Sequence, residues 1–306
     1  MSGFQLGTAL AAGRETVVVM TEGRLYPLDK LLAFSGLDLV PAGVGLSEML
    51  DDWAAWLDRI KQAVRGAQSQ PSVAPLPADG ITWLSPVRRP RKLVCMGTNY
   101  SGHAKEVESK ALTMPYSFLK PPSNTLCGSG SVVTLLDVSE MNDWEIELAV
   151  VIGKAARRVP EADALGFVAG YSVMNDVSSR DWVAKRPEFL GIDWVVGKAA
   201  DGYAPMGPLL TPAEFVADPQ DLGLELTLNG QVMQKGNTAD MVFNVAQIIA
   251  HLSQFMTLEP GDIIATGTPE GVGFGRKPPV FLKHGDTVRC TIEGLGTLEN
   301  HFVRQG

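Results

Sequence analysis

Cysteine is scarce in this 306-residue chain: Cys95, Cys127 and Cys290 lie far apart, with no C-x-x-C pair and no Cys/His metal spacing. That argues against a disulfide framework and a thiolate metal site, and it points to a reducing compartment, the cytoplasm. Long apolar runs are also missing. No stretch approaches the roughly 18 residues needed to span a bilayer, and the opening MSGFQLGTALAAG has neither the basic start nor the apolar core of a signal peptide. The expectation is therefore a protein without a membrane partner. Basic charge is in deficit as well, 26 Lys and Arg against 34 Asp and Glu, a net of −8. No basic stripe interleaved with aromatics tracks phosphates, so nucleic acid is not an expected partner. The short RRPRK (88–92) reads as a solvated junction before an apolar strand.

What the chain does have is apolar residues, 45% of the total, enough for one large domain and a small one without staples. The first 80 residues read as the small α+β unit and its linker. ETVVVM and RLYPL flank the turn TEG as a hairpin, and Ser47 is placed to cap a helix over EMLDDWAAWLDRIKQAV. Leu46, Met49, Leu50, Trp53, Trp56, Leu57, Ile60 and Val64 recur there at three- and four-residue steps, which makes both tryptophans core residues. GAQSQPSVAPLPADG (66–80) has linker composition. From residue 81 to 306 short strands dominate: KLVCMG, SFLK, SVVTLL, WEIELAVVIG, VAGYSVMND, APMGPLLT, LELTLNG, DIIATG and DTVRCTIEG. NTADMVFNVAQIIAHLSQFM is the clearest second helix, with Met241, Val245, Ile248, Ile249 and Leu252 on one stripe. A parallel α/β sheet needs a helix after nearly every strand. Those helices are missing, so the expected class is α+β with a large mixed sheet.

One strand breaks its own pattern. In NDWEIELAVVIGK (142–154), Trp144, Ile146, Leu148 and Val150 share a face, while Asp143, Glu145 and Glu147 share the other with Ala149 and Val151. An exposed antiparallel face also alternates this way, but Ala149 and Val151 imply that the acidic face is covered further along. Neighbouring carboxylates about 7 Å apart at Cα repel when covered unless cations, protons or hydrogen bonds compensate. A divalent metal would serve both. Asp176, ending the apolar strand in GYSVMND, completes an all-oxygen set suited to Mg²⁺ or Mn²⁺.

Other candidates surround this set. In NYSGHAKEVE, Ser101 is placed to cap a short helix that pairs His103 with Glu106 at i, i+3, an arrangement that fixes a tautomer and makes a base for water. An ordinary charged surface helix would read the same. Lys198 lies in apolar company, either holding an anionic oxygen or snorkelling at a strand edge. ATGTPEGVGFG (265–275) is a Gly-rich turn whose N–H groups and Thr268 are suited to face a ligand, and it is neither a P-loop nor a dinucleotide fingerprint.

The order of these motifs carries more than any one of them. GTNYSGHAKE, PYSFLKPPSNTLCG, DWEIELAVVIGK, GYSVMNDVSSRD, GKAADGYAPMGP, LTLNGQVMQ, PGDIIATGTPEGVG and HGDTVRCTIEGLGTLEN together resemble the fumarylacetoacetate hydrolase family over about residues 93–303. The resemblance implies a mixed β-roll, carboxylate-bound Mg²⁺ or Mn²⁺, a homodimer, and activity on a 2-oxo or 1,3-dicarbonyl (diketo) acid. It implies Glu145, Glu147 and Asp176 as metal ligands, His103 and Glu106 as the water-activating pair, and Lys198 facing substrate oxygens. Arg180, Thr268 and Tyr100 are implied as substrate contacts. Val183 stands where many members have Gln, which puts one polar substrate contact in doubt, and VESKALTMPYS (107–117) falls where the family often has a lid. The expected reaction is metal-dependent hydrolysis of a C–C bond in an acylpyruvate-type acid, giving pyruvate and a carboxylic acid. The alternative is decarboxylation, isomerisation or lysis of an oxaloacetate- or 2-oxo-enoate-type acid through the same enolate.

Overall fold

In the computed structural model, residues 3–11, 13–69, 73–77, 80–108, 112–185 and 191–304 are described. The fold is α+β. A ten-stranded sheet runs in the order Arg24–Pro27, Arg14–Thr21, Phe4–Ala11, Leu209–Pro212, Val168–Asn175, Ile146–Ile152, Ile263–Ala265, Leu93–Met96, Ser117–Lys120, with Thr82–Leu84 added beside Phe4–Ala11. Most pairs are antiparallel; Ile263–Ala265 runs parallel to Leu93–Met96. A second, five-stranded sheet orders Gln231–Asn237, Gly223–Leu228, Thr287–Ile292, Gly296–Val303 and Val132–Thr134.

The strand Ile146–Ile152 is buried along its whole length and divides two cores. Trp144, Ile146, Leu148, Val150 and Ile152 pack with Leu224, Leu226, Cys290 and Leu298 of the second sheet and with Ile248, Ile249 and Leu252 of the helix Val245–Phe255. Ala149 and Val151 face the other core, with Phe4, Val19, Leu31, Met49, Trp53 and Ile60. The period-2 reading of this strand therefore holds, and the far end of the acidic face is covered by the core that includes the N-terminal helices. Phe4–Ala11 pairs with Leu209–Pro212 in the ten-stranded sheet, so the N-terminal hairpin extends the same layer. The division near residue 80 stands as a proposal about chain organisation.

Several local expectations are corrected. Ser47 does not cap the long helix. A short helix Leu46–Met49 and a 3-10 turn Leu50–Asp52 precede Trp53–Ser69, Glu48 accepts from the Gly45 N–H, and Ser47 Oγ accepts instead from the Arg88 and Arg89 N–H groups. The helix runs on past Gly66, where the missing Cβ leaves room for the Ser35 side chain. Of the linker, Gln70, Pro71, Ser72, Ala78 and Asp79 lie outside the described residues. The second helix starts only at Val245, where Asn244 and Gln247 form a capping box, so Met241 packs on the core from a preceding 3-10 turn's exit. Tyr100, not Ser101, occupies the cap position of Ser101–Glu106.

Candidate functional site

Three backbone arrangements bring the acids together. Glu145 leads into Ile146–Ile152 and Glu147 lies within it; the antiparallel partner Val168–Asn175 ends beside them, with the Asp176 N–H donating to the Glu145 carbonyl at 2.9 Å and the Asn175 side chain accepting from the Glu145 N–H at 2.9 Å. Glu145, Glu147 and Asp176 are all buried and present carboxylate oxygens within 4.8 Å of one another.

Their cations come from separate elements. Lys198 ends the helix Trp194–Lys198, whose start is capped by the Asp193 carboxylate accepting from the Val195 and Val196 N–H groups. Its Nζ donates to Glu145 Oε2 at 2.7 Å and Asp176 Oδ2 at 2.5 Å. Arg180 opens the helix Arg180–Ala184; its Nε donates to Asp143 Oδ2 at 2.8 Å. Arg180 Nη2 lies 2.6 Å from Glu145 Oε1, so one buried guanidinium pairs with both Asp143 and Glu145. Burial works to raise the Glu145 carboxyl, yet Arg180 and Lys198 hold it well below its usual range. Burial, then Asp176 and Glu145, push the Glu147 carboxyl well above its usual range, against Lys198 and its hydrogen bond from the Gly267 N–H at 2.7 Å. Burial alone would lower Lys198, but Asp176 and Glu145 hold it above its ordinary value.

Among the described residues no Lys or Arg forms an ion pair with Glu147. A buried carboxylate lacking a cation of its own, beside two others, fits a hard divalent ion, and Glu145, Glu147 and Asp176 would hold it.

The helix Ser101–Glu106 carries the His–Glu pair, with His103 Nδ1 3.3 Å from Glu106 Oε2. An ionised carboxylate only accepts, so Glu106 selects the tautomer protonated at Nδ1 and leaves the Nε2 lone pair free. Glu106 Oε1 accepts from the Gly271 N–H at 3.0 Å, which ties the pair to the Gly-rich loop. A side chain at Gly275 would run into Glu106, so this close approach needs glycine.

A cavity of about 50 Å³ gathers His103, Glu145, Glu147, Arg180, Lys198 and Thr268, with Met96, Phe118 and Trp194 as its apolar wall. The Thr268 hydroxyl donates to the Ile146 carbonyl at 2.8 Å and accepts from Gln234 Nε2 at 2.8 Å, so its side chain is held by protein on both sides. Tyr100 is fully buried and outside that lining; burial, then Glu147, raise its phenol, whose hydroxyl has no hydrogen-bond partner among the described residues. Val183 packs against Gly197, one residue before Lys198. Ser109, Lys110 and Ala111 of the lid-like segment lie outside the described residues. A wider cavity of about 570 Å³, at Val132, Leu135, Asp137 and Asp201, is lined by none of the expected site residues.

Three polar residues of the surroundings were not anticipated. Lys120 is buried and donates to Asp176 Oδ1 at 2.6 Å and to the Tyr203 carbonyl at 2.6 Å. Asp143 accepts from Arg180 and from the Gly273 and Phe274 N–H groups at 2.7 and 3.0 Å. Gln234, on the second sheet, also accepts from the Ile146 N–H and donates to the Pro269 carbonyl. Asp143 was visible as a third acid on the covered face. Nothing in SFLK or LTLNGQVMQ separates Lys120 or Gln234 from ordinary strand polar residues.

Residues 92–303 match the family described as fumarylacetoacetate (FAA) hydrolase C-terminal. A mitochondrial oxaloacetate tautomerase of Homo sapiens is 47% identical over 228 residues, 74% of this chain and 71% of that protein. The crystal structure of a fumarylacetoacetate hydrolase from Exiguobacterium antarcticum is 31% identical, with a TM-score of 0.77 over 99% of this chain and 100% of that one. A fumarylpyruvate hydrolase from Pseudomonas aeruginosa, solved in complex with Mn²⁺ and pyruvate, is 31% identical, with a TM-score of 0.65 over 74% of this chain and 93% of that one.

Proposed function

Because the chain belongs to the fumarylacetoacetate hydrolase family, we propose that it is a divalent-metal-dependent enzyme that moves a proton between carbon and oxygen of a small 2-oxo-dicarboxylic acid of the oxaloacetate type. The observation that carries this reading is the 50 Å³ cavity itself, with three carboxylates, Lys198, Arg180 and one His–Glu pair on its walls or directly behind them. The tautomerase at 47% identity supports the same substrate class.

Glu145, Glu147 and Asp176 would hold Mg²⁺ or Mn²⁺, which when bound supplies Lewis-acid polarisation of a 2-oxo carbonyl. Arg180, on the cavity wall, is suited to receive a substrate carboxylate. His103 Nε2 takes the proton from the carbon next to the carbonyl and returns it to the enolate oxygen, while Glu106 stabilises the transient imidazolium. Lys198 faces the oxygen on which negative charge gathers. One proton changes place, and no water is consumed.

A second reading, hydrolysis of an acylpyruvate, is favoured by the same His–Glu pair, which is equally suited to deprotonate water, and by the fumarylpyruvate hydrolase among the structural neighbours. The test follows enol-oxaloacetate by its ultraviolet absorbance with Mg²⁺ or Mn²⁺, alongside pyruvate release from acylpyruvates. Accelerated enol decay without pyruvate supports tautomerisation; pyruvate from acylpyruvates alone supports the second reading. In either case His103→Ala is expected to abolish turnover and leave metal affinity unchanged; equal loss of both would refute the base role. A homodimer is proposed for the chain, checked by light scattering. So is a reducing compartment, on the strength of three unpaired cysteines: the cytoplasm, or the mitochondrion named for the relatives.

A further inference from the structure

The apolar wall of the cavity is built as one piece with its charged wall. Trp194 and Lys198 occupy positions i and i+4 of one short helix, so they stand on the same face. The indole stacks on Phe118 with ring centroids 4.2 Å apart and planes 8° from parallel, and the Lys198 ammonium lies 5.3 Å from the Phe118 centroid and 5.9 Å from that of Trp194. Trp194 Nε1 donates to the Tyr116 hydroxyl at 2.9 Å. Tyr116 packs in turn on the backbone at Gly97, where an added Cβ would come within 2.9 Å of its ring. Phe118 and Lys120 stand two residues apart on the sheet's last strand, so the face that carries Phe118 also delivers the lysine that holds Asp176. The indole is thus held by its stack on Phe118 and its hydrogen bond to Tyr116, and a swing away would lose both.

We propose that Trp194 is the specificity-determining residue of this site: its indole closes the cavity on the carbon side of the substrate, admitting 2-oxo acids whose chain beyond the carbonyl is short and rejecting those with a bulky acyl or aryl end. The proposal rests on the 2-oxo acid reading above. A substrate held through its oxygens by Arg180, Lys198 and an ion on the acids would present its carbon chain to the apolar wall of Met96, Phe118 and Trp194. Each added methylene that meets a rigid wall costs roughly tenfold or more in a specificity ratio.

The experiment measures binding and turnover separately. Titration calorimetry in Mg²⁺ compares pyruvate with 2-oxo-4-phenylbutyrate for the wild type, Trp194→Ala and Trp194→Phe, and turnover compares oxaloacetate with benzoylpyruvate on the same preparations. Because each result is a ratio within one preparation, partial misfolding of a variant cancels. The wild type is expected to bind the phenyl acid at least about tenfold more weakly than pyruvate, W194F to keep most of that gap through the retained stack, and W194A to erase it. An unchanged ratio in W194A, or equal binding of both acids by the wild type, overturns the proposal. Graded binding that W194A abolishes, with no turnover of either substrate, supports the filter and overturns the proposed reaction instead. Absence of binding by either acid overturns both.

Discussion

Lys198 and Lys61 make nearly the same local contacts and mean different things. Lys198 lies 2.5 Å from Asp176 and 2.7 Å from Glu145; Lys61 lies 2.5 Å from Glu214 and 3.8 Å from Asp58. The side chain of Lys198 is 4% exposed and its partners 2% and 6%, whereas Lys61 is 17% exposed beside partners at 36% and 75%. Each lysine has one carboxylate at 2.5 Å, and the surroundings decide what that contact is worth. In the site, each charge is costly without its partners, so the cluster behaves as a unit whose members cannot be removed singly. On the N-terminal helix, water screens the same geometry to a small contribution.

The largest effect that would sharpen this contrast is Lys198→Met. Removing one member of a buried cluster costs about 3–5 kcal/mol, so urea unfolding without metal should show a loss of that order, and turnover should fall below detection. Added Mn²⁺ should restore more of the melting temperature in K198M than it adds to the wild type, since it supplies positive charge to the same carboxylates; equal shifts would break the comparison. Glu147→Gln is next. It removes a carboxylate that has no ion pair among the described residues, so divalent binding by calorimetry should disappear while metal-free stability changes by under about 1 kcal/mol or improves; a loss as large as that of K198M would show that Glu147 carries the fold. Asp143→Asn keeps the shape but weakens the hold on Arg180 and on the Gly273 and Phe274 N–H groups. A cost of about 1–3 kcal/mol and a rise in KM larger than the fall in kcat are expected, measured by steady-state kinetics against thermal melts. The smallest effect belongs to Lys61→Ala, about 0–1 kcal/mol and fading with added salt; a larger one would mean that exposure is a poor guide in this molecule.

The same distinction explains how far the sequence could be read. Alternation along Trp144–Val151 was legible because strand geometry has a period of two, and it placed Glu145 and Glu147 on one covered face before any fold was known. The i, i+3 spacing put His103 against Glu106 for the same local reason. Helix starts were read less well. Ser47 and Ser101 have the right chemistry for caps, but the Gly45 N–H already has Glu48, and the Ser47 hydroxyl is drawn to the chain at Arg88. The strands Phe4–Ala11, Gln231–Asn237 and Gly296–Val303 were missed; in Gln231–Asn237 the apolar residues Val232 and Met233 are adjacent and give no period of two. With them went Gln234, whose role depends on a sheet that meets Ile146 and Thr268 only in three dimensions.

Composition and local period by themselves determined the α+β class, the acidic pair on one strand and the His–Glu pair on one helix, because each depends on residues a few positions apart. Which charge meets which was decided only by the tertiary structure. Lys120, Asp143, Arg180 and Lys198 come from segments tens of residues apart, and the cost of a buried charge depends on everything packed around it, which no local stretch of chain contains.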